Sequence, residues 1–486
     1  MTTIQRPART KRGERKAPEP PVPRMARSYQ MVIRKPIDRL SYPVVNTRSL
    51  CPSIHDVPLI QGYFSNENNF AAETSCDVFE AFEISNRGMS GSWRSISGEN
   101  GAATYINSMR SAKEAKPKLR IMFSTITPSS MTTFGVQLSI SKGFIMKLFS
   151  TLEVCPQFCA AILGEPDYWA PLAVRSRDKT GIVFRVEYMY QHPRYTIHTR
   201  QQPCSVWFAY NIQDSTTTYI VSYGKDEDWV TRAKDRLSHC FGQPLNEPTF
   251  ASAEGHDPFL FHSILCHESL CGAKIPITQL RHKLYDVLDI VGEYSKEPFD
   301  RSSLKDMTEQ LHKISQDADS LLVSAEMGSM VANHSENSRT ALKEELGAST
   351  TFANSNVGDA LVYLVESLEA QKRWISSYQS RKDIAMNLVF NLVTQQDSET
   401  STDIARDTKE DSASMRVIAV LTMIFLPATA VSGFFGMDFF SISAEGDFVT
   451  SKMVWLFIAV TMPLTILIFV LWIFWVPLIH ESICRE

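Results

Sequence analysis

Six residues near the C-terminal end are spaced so that they could act together. Met415, Ile418, Thr422, Leu426, Thr429 and Gly433 follow one another at steps of 3, 4, 4, 3 and 4. On a helix all six lie on one side. The face mixes bulky apolar, hydroxyl and small residues. Two kinds of chemistry fit it. Small residues and hydroxyls line helix–helix contacts in membranes. The same mixture around an axis would give apolar constrictions between wetter rings, the lining of a pore. Just upstream, Asp403, Asp407 and Asp411 recur every four residues. They form an acidic face that could gather divalent cations if several copies met, or a solvated helix surface.

Other groupings carry less. His262, Cys266, His267 and Cys271 fall within one expected helix. His262 and Cys266 could share a metal, but structural zinc sites use tighter, paired spacing, so packing is the expected role. Cys155 and Cys159 are expected to be buried thiols. The chain has no GxxxxGK[ST] loop, no dinucleotide fingerprint and no HExxH motif. It is not expected to be an enzyme or to need a cofactor. The basic N-terminal segment has no interleaved aromatics suited to nucleic acid.

The elements that must position these residues follow from composition. The chain has 486 residues, 44% hydrophobic and 21% charged, with net charge −4. Residues 1–50 carry 12 Lys/Arg against 3 Asp/Glu, and six prolines between Pro7 and Pro36. They read as a disordered basic tail, not an amphipathic transit helix, and could touch anionic lipid. Two runs, Val417–Phe435 and Met453–Ile479, are 19 and 27 residues long without a charge. About 18 apolar residues suffice to span a bilayer. The loop between them holds Asp438, Glu445 and Asp447 against one lysine, whereas Arg406, Lys409 and Arg416 precede the first run. The positive-inside rule then puts both termini in the cytosol. The absence of an apolar leader and the nine scattered cysteines agree with a reducing compartment.

Between tail and membrane two zones are expected. Leu119–Thr125, Gly181–Tyr190, Cys204–Asn211 and Thr216–Tyr223 are β-branched and aromatic runs and predict strands, the last three antiparallel. Ser141–Leu152 and Glu227–Cys240 predict helices, giving an α+β layer structure. Gly91 to Gly101 reads as loop. From Asp257 onward strand signals vanish. Helices are expected over Phe259–Leu270, Gln279–Tyr294, Leu304–Val331 and Ser338–Leu346. Between Gly358 and Pro427 lie 68 residues without Gly or Pro. As one helix this would be about 100 Å long. Its stretch Gln395–Ser414 is nearly all polar, and Pro427 should bend it by deleting the bond to the Met423 carbonyl.

The expected organisation is thus a tail (1–50), an α/β cytosolic domain (51–255), its helical part (256–350), a stalk helix (351–414), a first transmembrane helix (415–436), a non-cytosolic loop (437–452), a second transmembrane helix (453–479) and a short cytosolic tail (480–486). Two spans cannot enclose a conducting path, so a pore would need several copies around an axis.

Leu421-Thr422-Met423-Ile424-Phe425-Leu426-Pro427, followed by Gly436-Met437-Asp438, an acidic loop and a C-terminal span, resembles the CorA superfamily of divalent metal-ion (magnesium and zinc) transporters. Arg281–Tyr285 and Ile314–Ser320 are similar to the CorA-like membrane proteins of filamentous fungi. The resemblance is specific over about 380–480. It implies a homopentamer in which a stalk helix runs into the pore-lining first span. Met415, Ile418, Leu426, Thr429 and Gly433 would face the pore, and Gly436, Met437 and Asp438 would form the selective ion entry. These pore positions belong to the face defined by helical spacing, which favours the pore reading. Glu445 and Asp447 would attract cations to the mouth.

The resemblance implies downhill movement of divalent cations, magnesium first, with self, membrane lipid and the cation as the partners. The plasma membrane is expected over the mitochondrial inner membrane. Departures are Asp438 where the family has Asn, Phe435 where it has Tyr, and a tail from His480 to Glu486 with Arg485 as its one Arg or Lys. They motivate the alternative of a non-conducting scaffold or metal sensor.

Overall fold

The structure is a computed structural model. It describes residues 57–84, 88–111, 115–166, 170–195, 201–242, 255–294, 301–347, 352, 354–434, 440–442, 448–451 and 453–483. The basic tail expected over 1–50 lies outside these residues. The chain divides into two compact units, Met1–Met386 and Asn387–Glu486.

In the first unit, α1 (Val57–Ser65) precedes β1 (Ser75–Ile84), β2 (Gly88–Ser97), α2 (Gly98–Arg110), β3 (Leu119–Pro128) and β4 (Val136–Leu138). Next come α3 (Lys142–Leu152), α4 (Phe158–Ile162), β5 (Leu172–Arg177), β6 (Val183–His192), β7 (Cys204–Asn211), β8 (Thr216–Gly224) and α5 (Asp228–Phe241). Two long helices follow, α6 (Leu260–Tyr294) and α7 (Arg301–Leu346), and then α8 (Val357–Phe434). Seven strands line up as β2-β1-β3-β8-β7-β6-β5, with β4 paired to β3. Strands β6 to β8 are antiparallel neighbours, as the sequence pattern predicts; β5, which it does not announce, pairs antiparallel with β6, and β3 and β8 run parallel.

Strand alternation splits the core into two layers. Phe79, Ile121, Phe123, Phe208, Tyr219 and Val221 face one side and pack with α5, α6 and the first turns of α8. Val78, Met122, Trp207, Ala209 and Ile220 face the other and pack with α1 to α4. The sheet is covered on both faces, which is why β7 and β8 are buried almost throughout.

Four sequence expectations need correction. Gly91 to Gly101 is not a loop: it holds the end of the edge strand β2 and the start of α2. The glycine is a packing residue, since a Cβ at Gly91 would stand 2.1 Å from Cζ of Phe79. The two helices expected over Phe259–Leu270 and Gln279–Tyr294 are one, running through Pro276. Those expected over Leu304–Val331 and Ser338–Leu346 are also one, and Gly328 within it lets Tyr195 and Leu368 come close. Strands do not end before Asp257 either. A two-stranded pairing of β9 (Phe440–Ile442) with β10 (Phe448–Thr450) occurs between the apolar runs, too short for any periodic signal.

A buried ion pair fixes the root of α8. The Arg339 side chain on α7 donates from Nε to Asp257 Oδ2 at 2.8 Å, and its Nη2 lies 2.8 Å from the same oxygen. Both residues are buried. The other Asp257 oxygen accepts the backbone N–H of Phe259 just before α6, and Arg339 Nη2 donates to the Ser355 carbonyl just before α8. Gly358 keeps the first turn of α8 open for the guanidinium, since a Cβ there would lie 2.5 Å from Arg339 Nη1.

Two imidazoles, His192 and His262, are buried between sheet and helices, and a third, His334, is half-buried beside them. His262 on α6 is hydrogen-bonded through Nδ1 to the Tyr190 hydroxyl and sits among Phe208, Tyr219 and Phe259. His192 packs edge-on against Tyr190 and Trp229, and His334 on α7 against Tyr188. The Nε2 atoms of all three have no hydrogen-bond partner among the described residues. Burial pushes His192 down to about 3 and His262 and His334 below the ordinary imidazole range, His262 further because the other two histidines are near. The folded form therefore stays neutral where an unfolded chain would take up protons below about pH 6.5. Stability is full above that pH and falls as the pH drops, by about 1.4 kcal/mol per pH unit for each fully buried histidine. Melting temperature measured from pH 7 to 4 should show this loss, and His192→Phe should make it shallower by about one histidine's share.

Candidate functional site

The candidate site lies in the second unit, on the last turns of α8 and around the helix α9 (Met453–Ile483). Both carry stretches long and apolar enough to cross a membrane. Helix α8 is continuous to Phe434 with Pro427 inside it. Apolar, unbroken helix is what a bilayer demands, because every backbone polar group must be satisfied within the segment.

The burial pattern along α8 separates its faces. Val420 and Met423 are half-buried and Pro427 and Val431 buried, at helical steps of 3, 4 and 4. Met415, Ile418, Thr422, Leu426, Thr429 and Gly433 are exposed, with Met415 65%, Ile418 61% and Leu426 69% accessible. At about 100° per residue the two sets are centred about 140° apart, and Val417, Leu421, Ile424 and Phe425, on other sides of the helix, are exposed as well. The face picked out by sequence spacing is therefore not the one the chain covers itself. Gly433 stands in open space, with nothing within 4 Å of a Cβ placed on it. On α9 the half-covered face is Val454, Phe457, Thr461, Thr465, Ile468 and Trp472, again at steps of 3 and 4.

The two hydroxyls of the exposed face are already committed as donors. Thr422 Oγ1 donates back to the carbonyls of Ile418 and Ala419 at 2.9 Å. Thr429 Oγ1 donates to those of Phe425 and Leu426 at 3.0 Å. With its hydrogen turned to the backbone, each oxygen presents lone pairs outward. Seven residues apart, the two acceptors stand about 10 Å from each other along the helix. Such oxygens suit the hydrogens of a hydrated cation's water shell.

Upstream, Asp403, Asp407 and Asp411 lie on exposed helix, with Arg406 and Glu410 paired at 3.5 Å between them. Among the described residues no group of three or more His, Cys, Asp or Glu is arranged to hold a metal within one chain. His262, Cys266, His267 and Cys271 are not gathered into a metal cage. His262 and Cys266 are buried core, and Cys271 lies 3.8 Å from Nε2 of His267 instead. Of the expected thiols Cys159 is buried and Cys155 half-buried. Gly436, Met437, Asp438, Glu445 and Asp447 lie outside the described residues.

A layered α/β unit followed by a helix that enters the first of two candidate membrane spans defines the class: a membrane protein with a large water-facing part. Residues 276–476 match the family described as CorA-like Mg2+ transporter protein. The match runs from Pro276 in α6 to near the end of α9, and the family's description is that of a transporter. The notoamide biosynthesis cluster protein M' of Aspergillus versicolor is 39% identical over 89 residues, and the match spans 18% of each chain. Among solved structures, the CorA magnesium transporter of Methanocaldococcus jannaschii aligns with a TM-score of 0.42 and 10% identity over 81% of this chain and 96% of its own. The full-length CmaX protein gives 0.44 and 13% over 82% and 98%. The ZntB cytoplasmic domain of Vibrio parahaemolyticus gives 0.39 and 7% over 66% and 99%. Scores and identities at this level add nothing to the family match.

The two faces give a direct test. Gly433→Leu adds bulk only to open space, so the protein should be made and extracted at the unmutated level. Val431→Asp puts a charge on the covered face and should cut the yield of folded protein several-fold. Equal yields from both variants, read by size-exclusion chromatography, would mean that the covered face is misassigned.

Proposed function

We propose that this chain is the subunit of a homopentameric channel that moves divalent cations, magnesium foremost, down their electrochemical gradient into the cytosol. The observation that carries the reading is the exposed face of α8 from Met415 to Gly433, held away from the covered face on a helix inside the CorA-like stretch. Five such faces around an axis would enclose a path whose rings alternate apolar, hydroxyl and open. Self-assembly is also supported by the large apolar side chains that α8 exposes before the span, Tyr363, Trp374, Ile384 and Phe390 among them.

The membrane potential supplies about 2.3 kcal/mol per charge per 100 mV, and so about 4.6 kcal/mol for a divalent ion. Import needs no nucleotide at that driving force. Both termini face the cytosol in this reading, with the plasma membrane as the site. Mg2+ gives up its waters reluctantly, so selection acts on the hydrated ion. Gly436, Met437 and Asp438 form the entry, where five carboxylates would stand in place of five amides. Their mutual repulsion is relieved by a divalent cation. Glu445 and Asp447 add negative charge near the mouth.

The Asp438 ring is tested by metal uptake in cells lacking their own transporter. Asp438→Asn should weaken apparent affinity about tenfold and remove the dependence on external pH. Asp438→Ala should abolish uptake while the oligomer still assembles. Uptake by the Ala variant at the unmutated level would exclude Asp438 as the filter and favour the reading that it caps the loop.

On the cytosolic side, residues 397–411 carry −4 per chain, from six acidic and two basic residues. Five copies would bring about −20 around the axis. In this reading Mg2+ between the faces of Asp403, Asp407 and Asp411 holds the closed state. The triple Asp→Asn variant should raise basal flux several-fold and blunt inhibition by internal Mg2+. Inhibition unchanged in that variant, measured in patches with Mg2+ stepped from 0.1 to about 10 times the normal half-inhibiting level, would rule out the device.

The substitution of Asp438 for an amide and the weakly basic tail favour one alternative, a CorA-derived scaffold or sensor that does not conduct. It predicts metal binding without uptake.

A further inference from the structure

The water-facing unit contains a cavity that ion movement does not use. Helices α5, α6 and the first turns of α8 enclose about 400 Å3, within the range of small-molecule pockets. Its walls are apolar: Leu260 and Ile264 from α6, Val357, Ala360 and Leu364 from α8, and Cys240 from α5. Its polar edge is cationic or neutral, with Arg236, His239 and His267, and no Asp or Glu lines it.

The charge at that edge is not balanced. Glu268 on α6 is 1% exposed. It accepts the Arg232 Nε–H at 2.9 Å, pairs with Arg236 Nε, and lies 3.2 Å from His267 Nδ1. Two guanidiniums share one carboxylate, so this trio carries one positive charge in excess. Burial opposes ionisation of Glu268, but hydrogen bonds from Arg232 and His267 and the nearby Arg236 outweigh it and hold its pKa below the usual carboxylate range. The carboxylate therefore stays ionised against the two guanidiniums. Arg232 and Arg236 remain about half exposed, at 46% and 55% of their side chains. A guanidinium has five N–H donors in a fork that fits a carboxylate.

We propose that this cavity binds an amphiphilic carboxylate, a free medium-chain fatty acid anion, with its chain among Leu260, Ile264, Ala360 and Leu364 and its carboxylate against Arg236. The commitment to an anion rests on the uncompensated charge, and the commitment to an alkyl body rests on the wall. Because α8 supplies one side, an occupant would also restrain the root of the helix that leads to the first span.

Cys240 lies in the wall and reports on occupancy. The full chain is placed in nanodiscs, and alkylation of Cys240 is followed by peptide mass spectrometry with octanoate, octanol or octyltrimethylammonium present. Octanoate should slow alkylation saturably. Octanol should need at least tenfold more, since a hydrogen bond to a charged partner contributes about that much, and the cation should have no effect. Arg236→Gln should weaken octanoate about tenfold and leave octanol unchanged. Ile264→Trp should abolish protection by filling the cavity, and Ala360→Leu should do so more mildly if the larger change prevents folding. Equal protection by octanoate and the cation would show bulk partition into lipid and overturn the proposal. Protection that rises with protein concentration and needs no additive would assign the cavity to a second copy, and would also overturn it. So would the absence of octanoate protection in the unmutated chain.

Discussion

Removing a charge from water is costly, and one pair of buried charges sets the geometry at the root of the long helix. Arg339 and Asp257 are both withdrawn from solvent, and neither could stay there without the other. Breaking such a pair by removing one partner costs about 3–5 kcal/mol. The pair does more than neutralise itself. One Asp257 oxygen receives the chain entering α6, and the guanidinium reaches the carbonyl of Ser355 where the chain enters α8. Three helices are tied to one another at a point where Gly358 leaves no side chain in the way. The start of α8 is thereby fixed against the sheet domain.

The membrane end follows a different constraint. In lipid, the backbone must satisfy itself, so what can vary is the side-chain face. Helix α8 resolves this by dividing its circumference. Val420, Met423, Pro427 and Val431 are the side the chain covers, and the proline, whose missing N–H would be a defect elsewhere, sits on that covered side. Another side carries hydroxyls that bond backward to their own helix. That arrangement costs little in a single chain and leaves acceptor oxygens facing away from it. In a lone subunit such a surface would meet lipid; the proposed channel instead turns it toward the same face of other copies.

Much of this was legible from residue order. Cys204–Asn211 and Thr216–Gly224 are buried almost throughout because both faces of the sheet are covered, and their β-branched and aromatic residues announce strands. The exposed face of α8 follows from steps of three and four. What escaped did so for identifiable reasons. Edge strand β2 is rich in Gly and Ser because it needs little apolar surface and must make room for Phe79. Pro276 looks like a helix end, and the polar run from Asn333 to Asn337 interrupts the apolar pattern, yet each helix continues through. The Asp257–Arg339 pair is separated by 82 positions, and nothing local connects the two. The histidines of the core could not be told from ligands by spacing alone. Their surroundings, Tyr190, Phe208, Tyr219 and Phe259, come from three separate elements and a connecting segment.

The central claim is that purified chain alone provides a path for divalent cations. Proteoliposomes loaded with a magnesium-sensitive dye, with an inside-negative potassium diffusion potential imposed, measure this most directly. The account predicts Mg2+ entry that needs no nucleotide, rises as the potential is made more negative, and is lost with Gly433→Leu. Entry no faster than in empty liposomes at every potential, from protein that is demonstrably assembled, would contradict it.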